Sequence, residues 1–338
     1  MWCDDSLWCG CVIRGLHHIT ALASDPQVNL DFYVGVLGLR LVKISVNQDD
    51  PGVYHFFYAD ERGSPGTDLT FFPYVGIDRG VLGYGVSTRV YFSIPLDSLD
   101  YWLERLRSFG IHYSEPRRTE DGVVVEFSGP DDFPLALIAH KEADDKEVYP
   151  WRDSPVPSEH FLRGFHKAEI TVISCKHSGW FLEEVLGFRK IREGGDSARY
   201  AAGDGGSGSI IDVLCPPGLS TGYVGAGTVH HIAWSVDGDR EQVFYRERLS
   251  RLGFGVTPVI DRKWFRSIYF REPGHVLYEI ATKGPGFDVD EPPERLGSDL
   301  VLPEWLEPQR GWIERILPQI RLPNGKKIPS RYADRNPR

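Results

Sequence analysis

Two histidine pairs and one glutamate are the residues of this chain best suited to chemistry. The pairs stand in short apolar runs about two hundred residues apart, Leu16-His17-His18-Ile19-Thr20 and Val229-His230-His231-Ile232-Ala233-Trp234. Both runs read as strands, being short, partly β-branched or aromatic, and bounded by glycine. Side chains alternate between the two faces of a strand, so each strand should aim one of its two histidines into a shared cavity. In the late run His230, Ile232, Trp234 and Val236 share a bulky, core-like face, while His231, Ala233 and Ser235 share a small one that leaves room for an ion and a ligand. In the early run His18 and Thr20 share a face. The expected inward pair is therefore His18 and His231. Glu279 lies in the hydrophobic run His275-Val276-Leu277-Tyr278-Glu279-Ile280-Ala281, where a buried carboxylate without a partner is costly and should be paired or metal-bound. Two imidazoles and one carboxylate form the facial triad of non-heme Fe(II) oxygenases, which leaves coordination positions free.

Residues so far apart need a repeated framework to bring them together. Four segments share one plan: a strand, an amphipathic helix ending at glycine, then more strands. The opening strands are expected at 14–23, 87–94, 164–173 and 228–236, and the helices near 28–37, 98–108, 177–186 and 239–251. The helix-ending glycines Gly38, Gly110, Gly187 and Gly253 are 72, 77 and 66 residues apart. One such glycine is an ordinary αL cap; four in register point to duplicated βαβββ modules. The helices carry the apolar period, with Leu30, Tyr33, Val34 and Leu37 on one, and Leu99, Leu103 and Leu106 beside Trp102 on another. The fold class is α+β, with four modules paired into two open-barrel-like halves. The charged, Pro-rich stretch from His140 to Pro157 separates a first domain, 13–145, from a second, 160–283. Residues 1–12 form an extension. Residues 284–338 form a tail with one short helix near Pro308–Ile316, packed by Trp305, Leu306, Trp312 and Ile316; its end, Gly325–Arg338, should fray. Gly203–Gly208 opens no helix and reads as a hairpin turn, not a phosphate loop.

Bulk properties narrow the function classes. The 338 residues hold 38 basic and 48 acidic side chains, a net charge of −10. No Lys/Arg run offers a footprint for nucleic acid or an anionic membrane, and no apolar stretch approaches the roughly 18 residues of a membrane span. Asp4 and Asp5 near the start replace a basic signal region, so a cytoplasmic location is expected. Five cysteines in this length do not suggest a disulfide framework. Cys3, Cys9 and Cys11 read as incidental thiols of the extension; Cys175 and Cys215 lie in strand-like runs and should be buried.

With the histidine pairs, Glu279 and the fourfold repeat in place, the chain resembles the vicinal-oxygen-chelate superfamily of glyoxalases, bleomycin resistance proteins and extradiol dioxygenases. Within it, the chain is most similar to the hydroquinone ring-cleaving dioxygenases, typified by 2,6-dichlorohydroquinone 1,2-dioxygenase. The resemblance runs from about Gly15 to near Pro318. It rests on Gly15-Leu16-His17-His18-Ile19-Thr20, Ser154-Pro155-Val156-Pro157 with Arg163-Gly164-Phe165-His166, Val229-His230-His231, and Ser267-Ile268-Tyr269-Phe270-Arg271 leading to Glu279. It implies the vicinal-oxygen-chelate fold and Fe(II) held by His18, His231 and Glu279, although the same ligands also serve Mn(II). It further implies a small aromatic substrate with O2. His17, His230 and Tyr269 would be the acid–base groups, with Thr20 and an arginine on the substrate. Spacing leaves Arg262 and Arg266 both open for that arginine, and Arg266 is the one taken here. A homo-oligomer is compatible with the sequence. His166 occupies the matching place in module three but has no partner histidine, and Ile211-Asp212-Val213 stands where a glutamate would be needed, so it is read as structural or supporting. His275, beside a turn glycine, should be exposed. Two other readings share this framework. A glyoxalase-type isomerase or lyase usually fills a fourth ligand position, where Asp68-Leu69-Thr70-Phe71-Phe72 offers no second glutamate. A non-catalytic binder of small molecules needs an aromatic cleft and no triad.

Overall fold

The apolar period and the glycines place the module boundaries. The computed structural model describes residues 12–329; residues 1–11, with Cys3, Cys9 and Cys11, and residues 330–338 lie outside the described part. Module one comprises β1 (Gly15–Ala23), α1 (Pro26–Leu30), β2 (Arg40–Val46), β3 (Tyr54–Ala59) and β4 (Asp68–Pro73). Module two comprises β5 (Val86–Pro95), α2 (Leu99–Ser108), β6 (Arg117–Thr119), β7 (Gly122–Ser128) and β8 (Pro134–His140). Module three comprises β9 (Phe165–Thr171), α3 (Cys175–Trp180), β10 (Arg189–Gly194), β11 (Ser197–Ala201) and β12 (Ile210–Leu214). Module four comprises β13 (Val229–Val236), α4 (Asp239–Arg251), β14 (Ile260–Asp261), β15 (Arg266–Arg271) and β16 (Leu277–Thr282). The Asp25 carboxylate caps α1 by accepting from the N–H groups of Gln27 and Val28. Both α1 and α3 wind into a π-turn before ending. Gly38, Gly110, Gly187 and Gly253 all have positive φ, 68–82°, where a Cβ is penalised.

The strands form two curled eight-stranded sheets in the expected α+β arrangement. One runs β14-β15-β16-β13-β1-β4-β3-β2 and the other β10-β11-β12-β9-β5-β8-β7-β6. Module one thus shares a sheet with module four, and module two with module three, so the hydrogen bonding crosses the 13–145 and 160–283 segments. β1 and β13 pair antiparallel at the centre of the first sheet. That pairing brings the two histidine-bearing strands together. Gly203–Gly208 joins β11 to its antiparallel neighbour β12 as a hairpin turn.

Leu30, Tyr33, Val34 and Leu37 are all buried against their sheet. On α2 the buried stripe is Trp102 and Leu106; Leu99 and Leu103 lie at its edge, half-buried, because the large indole takes the central place. The tail departs from expectation. Leu302, Leu306, Ile313, Leu317 and Ile320 pack it onto the core, whereas Trp305, Trp312 and Ile316 are exposed. A short hairpin, β17 (Ile320–Arg321) with β18 (Lys327–Ile328), orders part of the stretch expected to fray. The tail also closes the first half-barrel: Lys43, fully buried, donates to Asp290, Glu291 and the Phe287 carbonyl. Cys175 opens α3 instead of continuing a strand, and it is disulfide-bonded to Cys215; both are half-buried. Among the described residues no helix is long and apolar enough to cross a membrane.

Candidate functional site

The register between β1 and β13 slips at both histidine pairs. Leu16 pairs with Trp234 and His18 with Ala233, which leaves His17 as the extra residue of a bulge; Thr20 pairs with His231 and Ala21 with Val229, which does the same for His230. A bulge locally suspends the alternation of faces. On β13 this brings both His230 and His231 to the cavity, where one was expected, while on β1 only His18 borders it. The two rings of each pair meet through Nδ1, at 2.9 Å in His17–His18 and 2.7 Å in His230–His231.

His18, His231 and Glu279 converge. Nε2 of His18 lies 3.3 Å from Nε2 of His231. The Glu279 Oε2 is 2.9 Å from the latter and 3.4 Å from the former. All three side chains are buried. This is close to the spacing of adjacent ligands around one ion at roughly 2.0–2.2 Å. The donor set passes a further test. Oε2 of Glu279 is a buried atom with no hydrogen-bond partner, although both imidazole nitrogens are at ion-pair distance, so lone pairs converge where a cation would satisfy them. Oε1 accepts from the Ser267 hydroxyl.

A backbone carbonyl sets the tautomer. His17 Nε2 donates to the Thr282 carbonyl at 3.1 Å. With His17 neutral, its Nδ1 accepts from His18 Nδ1–H, and His18 Nε2 keeps its lone pair for the centre. Burial, reinforced by His18, holds His17 down at about 3. For His231 Nε2 to keep its lone pair for the centre, His231 Nδ1 must donate to His230 Nδ1, which puts the His230 proton on Nε2; burial and His231 hold His230 at about 3 as well. Burial alone would raise the Glu279 carboxyl, but His18 and His231 outweigh it and hold it well below the usual range.

A cavity of about 340 Å³ opens over the triad, bordered by His18, His230, His231, Tyr269, Arg262 and His55 among others. Its size suits a small aromatic ligand. Tyr269 accepts a hydrogen bond from Arg262 Nε at 3.2 Å, and Arg262 also pairs with Asp49 on the rim at 3.0 Å. Burial, with Glu279 adding to it, raises the Tyr269 hydroxyl, which stays protonated. Three expected positions are corrected. Arg266 does not line the cavity; it pairs with exposed Asp239, because residues 267 and 269 hold the inward face of β15 and 266 falls on the other. Thr20 is fully buried and its hydroxyl is engaged by Thr70 at 2.8 Å. His17 sits behind His18 and does not border the cavity. Sequence reasoning missed His55, Ser267 and the aromatic wall of Phe57, Phe72, Trp264 and Phe265. Period-two alternation with His55 in Tyr54–Ala59 was the available signal.

The second sheet repeats the design with other residues. Thr88 and His166 are its bulge residues, and the register sets Arg89, Lys167 and Asp212 where the first sheet has His18, His231 and Glu279. Lys167 Nζ lies 2.8 Å from both Asp121 and Asp212, and Arg199 bonds the same two carboxylates. His166, expected without a partner histidine, has the His140 ring 4.8 Å away; both lie near the Ser93 hydroxyl. His275 is exposed, as expected.

Residues 15–137 and 164–280 each match the family described as Glyoxalase/Bleomycin resistance protein/Dioxygenase superfamily. The chain is 41% identical over 302 residues to "Putative ring-cleaving dioxygenase MhqO" of Bacillus subtilis, covering 89% of this chain and 95% of that protein. It is 34% identical over 304 residues to "Chlorohydroquinone/hydroquinone 1,2-dioxygenase" of Sphingobium indicum, covering 87% and 93%. A crystal structure titled "putative dioxygenase", also from Bacillus subtilis, superposes with a TM-score of 0.87 at 39% identity, covering 92% of this chain and 98% of that one.

Proposed function

Because this chain belongs to the Glyoxalase/Bleomycin resistance protein/Dioxygenase superfamily, we propose that it is an Fe(II)-dependent ring-cleaving dioxygenase, opening hydroquinone-type or related phenolic rings with O2. Two relatives covering most of the chain carry ring-cleaving or hydroquinone dioxygenase names. The observation that carries the reading is a centre with three protein ligands. The strand position equivalent to Glu279, paired to β1 as Glu279's strand is paired to β13, holds Thr70. Its hydroxyl is already engaged by Thr20 and His55. A glyoxalase-type centre, with its second carboxylate, has no residue for that place.

In this reading His18, His231 and Glu279 hold the metal; Mn(II) would be accepted by the same atoms. The metal supplies Lewis acidity toward a phenolic oxygen and one-electron reactivity toward O2. The protein does the rest. His17, fixed by Thr282, keeps the His18 tautomer, and Ser267 keeps Glu279 rotated toward the histidines. Tyr269 offers its hydroxyl proton to a ring oxygen and is itself held by Arg262. His230 holds its proton on Nε2, the nitrogen not used by His231, and is the cavity group through which a phenolic proton is exchanged. The aromatic walls exclude water from the ring. Protein loaded anaerobically with Fe(II) should take up O2 when hydroquinone is added. No uptake across a panel of hydroquinones and phenols overturns the reading, and oxygen-independent turnover of a hemithioacetal would replace it with the isomerase reading.

A further inference from the structure

The polar groups of the cavity are unevenly spread. The triad, His230 and Tyr269 sit on β1, β13, β15 and β16, while the β3 wall carries one imidazole, His55, among rings. Its centroid lies 3.8 Å from that of Phe57 and 4.3 Å from that of Phe72. Every other residue of β3 is buried, and His55 is the partly accessible one, opening on the cavity. One nitrogen is committed: Nε2 lies 3.0 Å from Thr70 Oγ1, which is 2.8 Å from Thr20 Oγ1. Nδ1 has no partner among the described residues. Facing the cavity, that nitrogen is open to a hydrogen bond from a bound ligand. In the order β1-β4-β3, His55 is two strands from β1, and the register, running through Phe72 to Leu22, sets it four residues along from His18, on the side of the cavity away from the triad. A ring with one oxygen at the triad therefore points its far end at this wall.

Resting on the proposed activity, we propose that His55 is a specificity-determining residue: Nδ1 hydrogen-bonds the ring oxygen remote from the metal, selecting rings with oxygens at opposite ends over rings with one. The test is anaerobic binding to Fe(II)-loaded protein, with hydroquinone and phenol titrated separately by calorimetry. The wild type should bind hydroquinone about tenfold or more tightly than phenol, the worth of one well-made hydrogen bond. Two variants separate the nitrogens. His55→Asn keeps a polar atom near the place of Nδ1 and gives up the Thr70 contact; His55→Gln does the reverse. The proposal expects the preference to survive in H55N and to vanish in H55Q, with iron content unchanged in both. Retention in H55Q together with loss in H55N assigns His55 to holding Thr70 and overturns the proposal alone. A wild type that binds hydroquinone and phenol equally also overturns it alone. A wild type that binds neither hydroquinone nor phenol overturns it along with the proposed activity.

Discussion

Where one sheet presents His18, His231 and Glu279, the other presents Arg89, Lys167 and Asp212. The bulges fall at the same places and the strand register is the same; Lys167 and Asp212 are buried as the triad is, while Arg89 is half-buried and pairs with Glu126. What differs is how charge is settled. In the first half-barrel two imidazoles face a single carboxylate, one of whose oxygens no hydrogen bond serves. In the second, Lys167 and Arg199 stand between Asp121 and Asp212, two positive against two negative, each bonded. The lysine ammonium takes the role a metal ion would take in the other half. One scaffold thus builds a site by withholding a cation and a stable core by supplying one from its own chain.

Substitutions can break this contrast. The largest effect is expected from Glu279→Ala, which should reduce both iron retention and O2 uptake to background, read by metal analysis and an oxygen electrode. Lys167→Met should act on the fold instead. It strands Asp121 and Asp212 against Arg199 alone and should destabilise the fold by about 3–5 kcal/mol in denaturant titration, with metal affinity retained by whatever fraction is folded. The bulge residues sharpen the comparison further. His17→Phe removes the partner of His18 Nδ1 and should weaken metal binding roughly 10–100-fold, whereas Thr88→Val at the equivalent bulge should leave it unaltered. The smallest effect is expected from Arg266→Ala. Its ion pair with Asp239 is solvent-exposed, so KM for hydroquinone should move by less than about twofold, against about tenfold for Arg262→Ala, which loses the bond to Tyr269.

The contrast also explains which features were legible beforehand. Gly38, Gly110, Gly187 and Gly253 announced the four modules because a positive φ nearly dictates the residue. The triad was legible because His18, His231 and Glu279 stand out chemically in apolar strands. The bulges were not, since a one-residue slip is decided by pairing with a strand far away in sequence; the alternation argument reached His18 and His231 while setting His230, which borders the cavity, on the core face. Partnering of module one with module four is likewise absent from any local pattern. Arg266 could have been set aside by counting: it shares a strand with Tyr269 at an odd separation and so faces away from it, whereas Arg262 lies in the loop before that strand, where alternation makes no prediction. The Cys175–Cys215 bond and the residues that seat the tail depend on tertiary proximity, which composition does not report.

The pairing of β1 with β13 has a consequence for synthesis. His18 and His231 are 213 residues apart, so at about 5–20 residues per second a ribosome needs roughly 10–40 s to deliver the second histidine after the first. Throughout that interval β1 has an edge with no mate, while modules two and three, contiguous in the nascent chain, can close on each other. A polypeptide interrupted anywhere before Glu279 carries the early histidine and cannot complete the triad, so a metal held there would report that all four modules have been made.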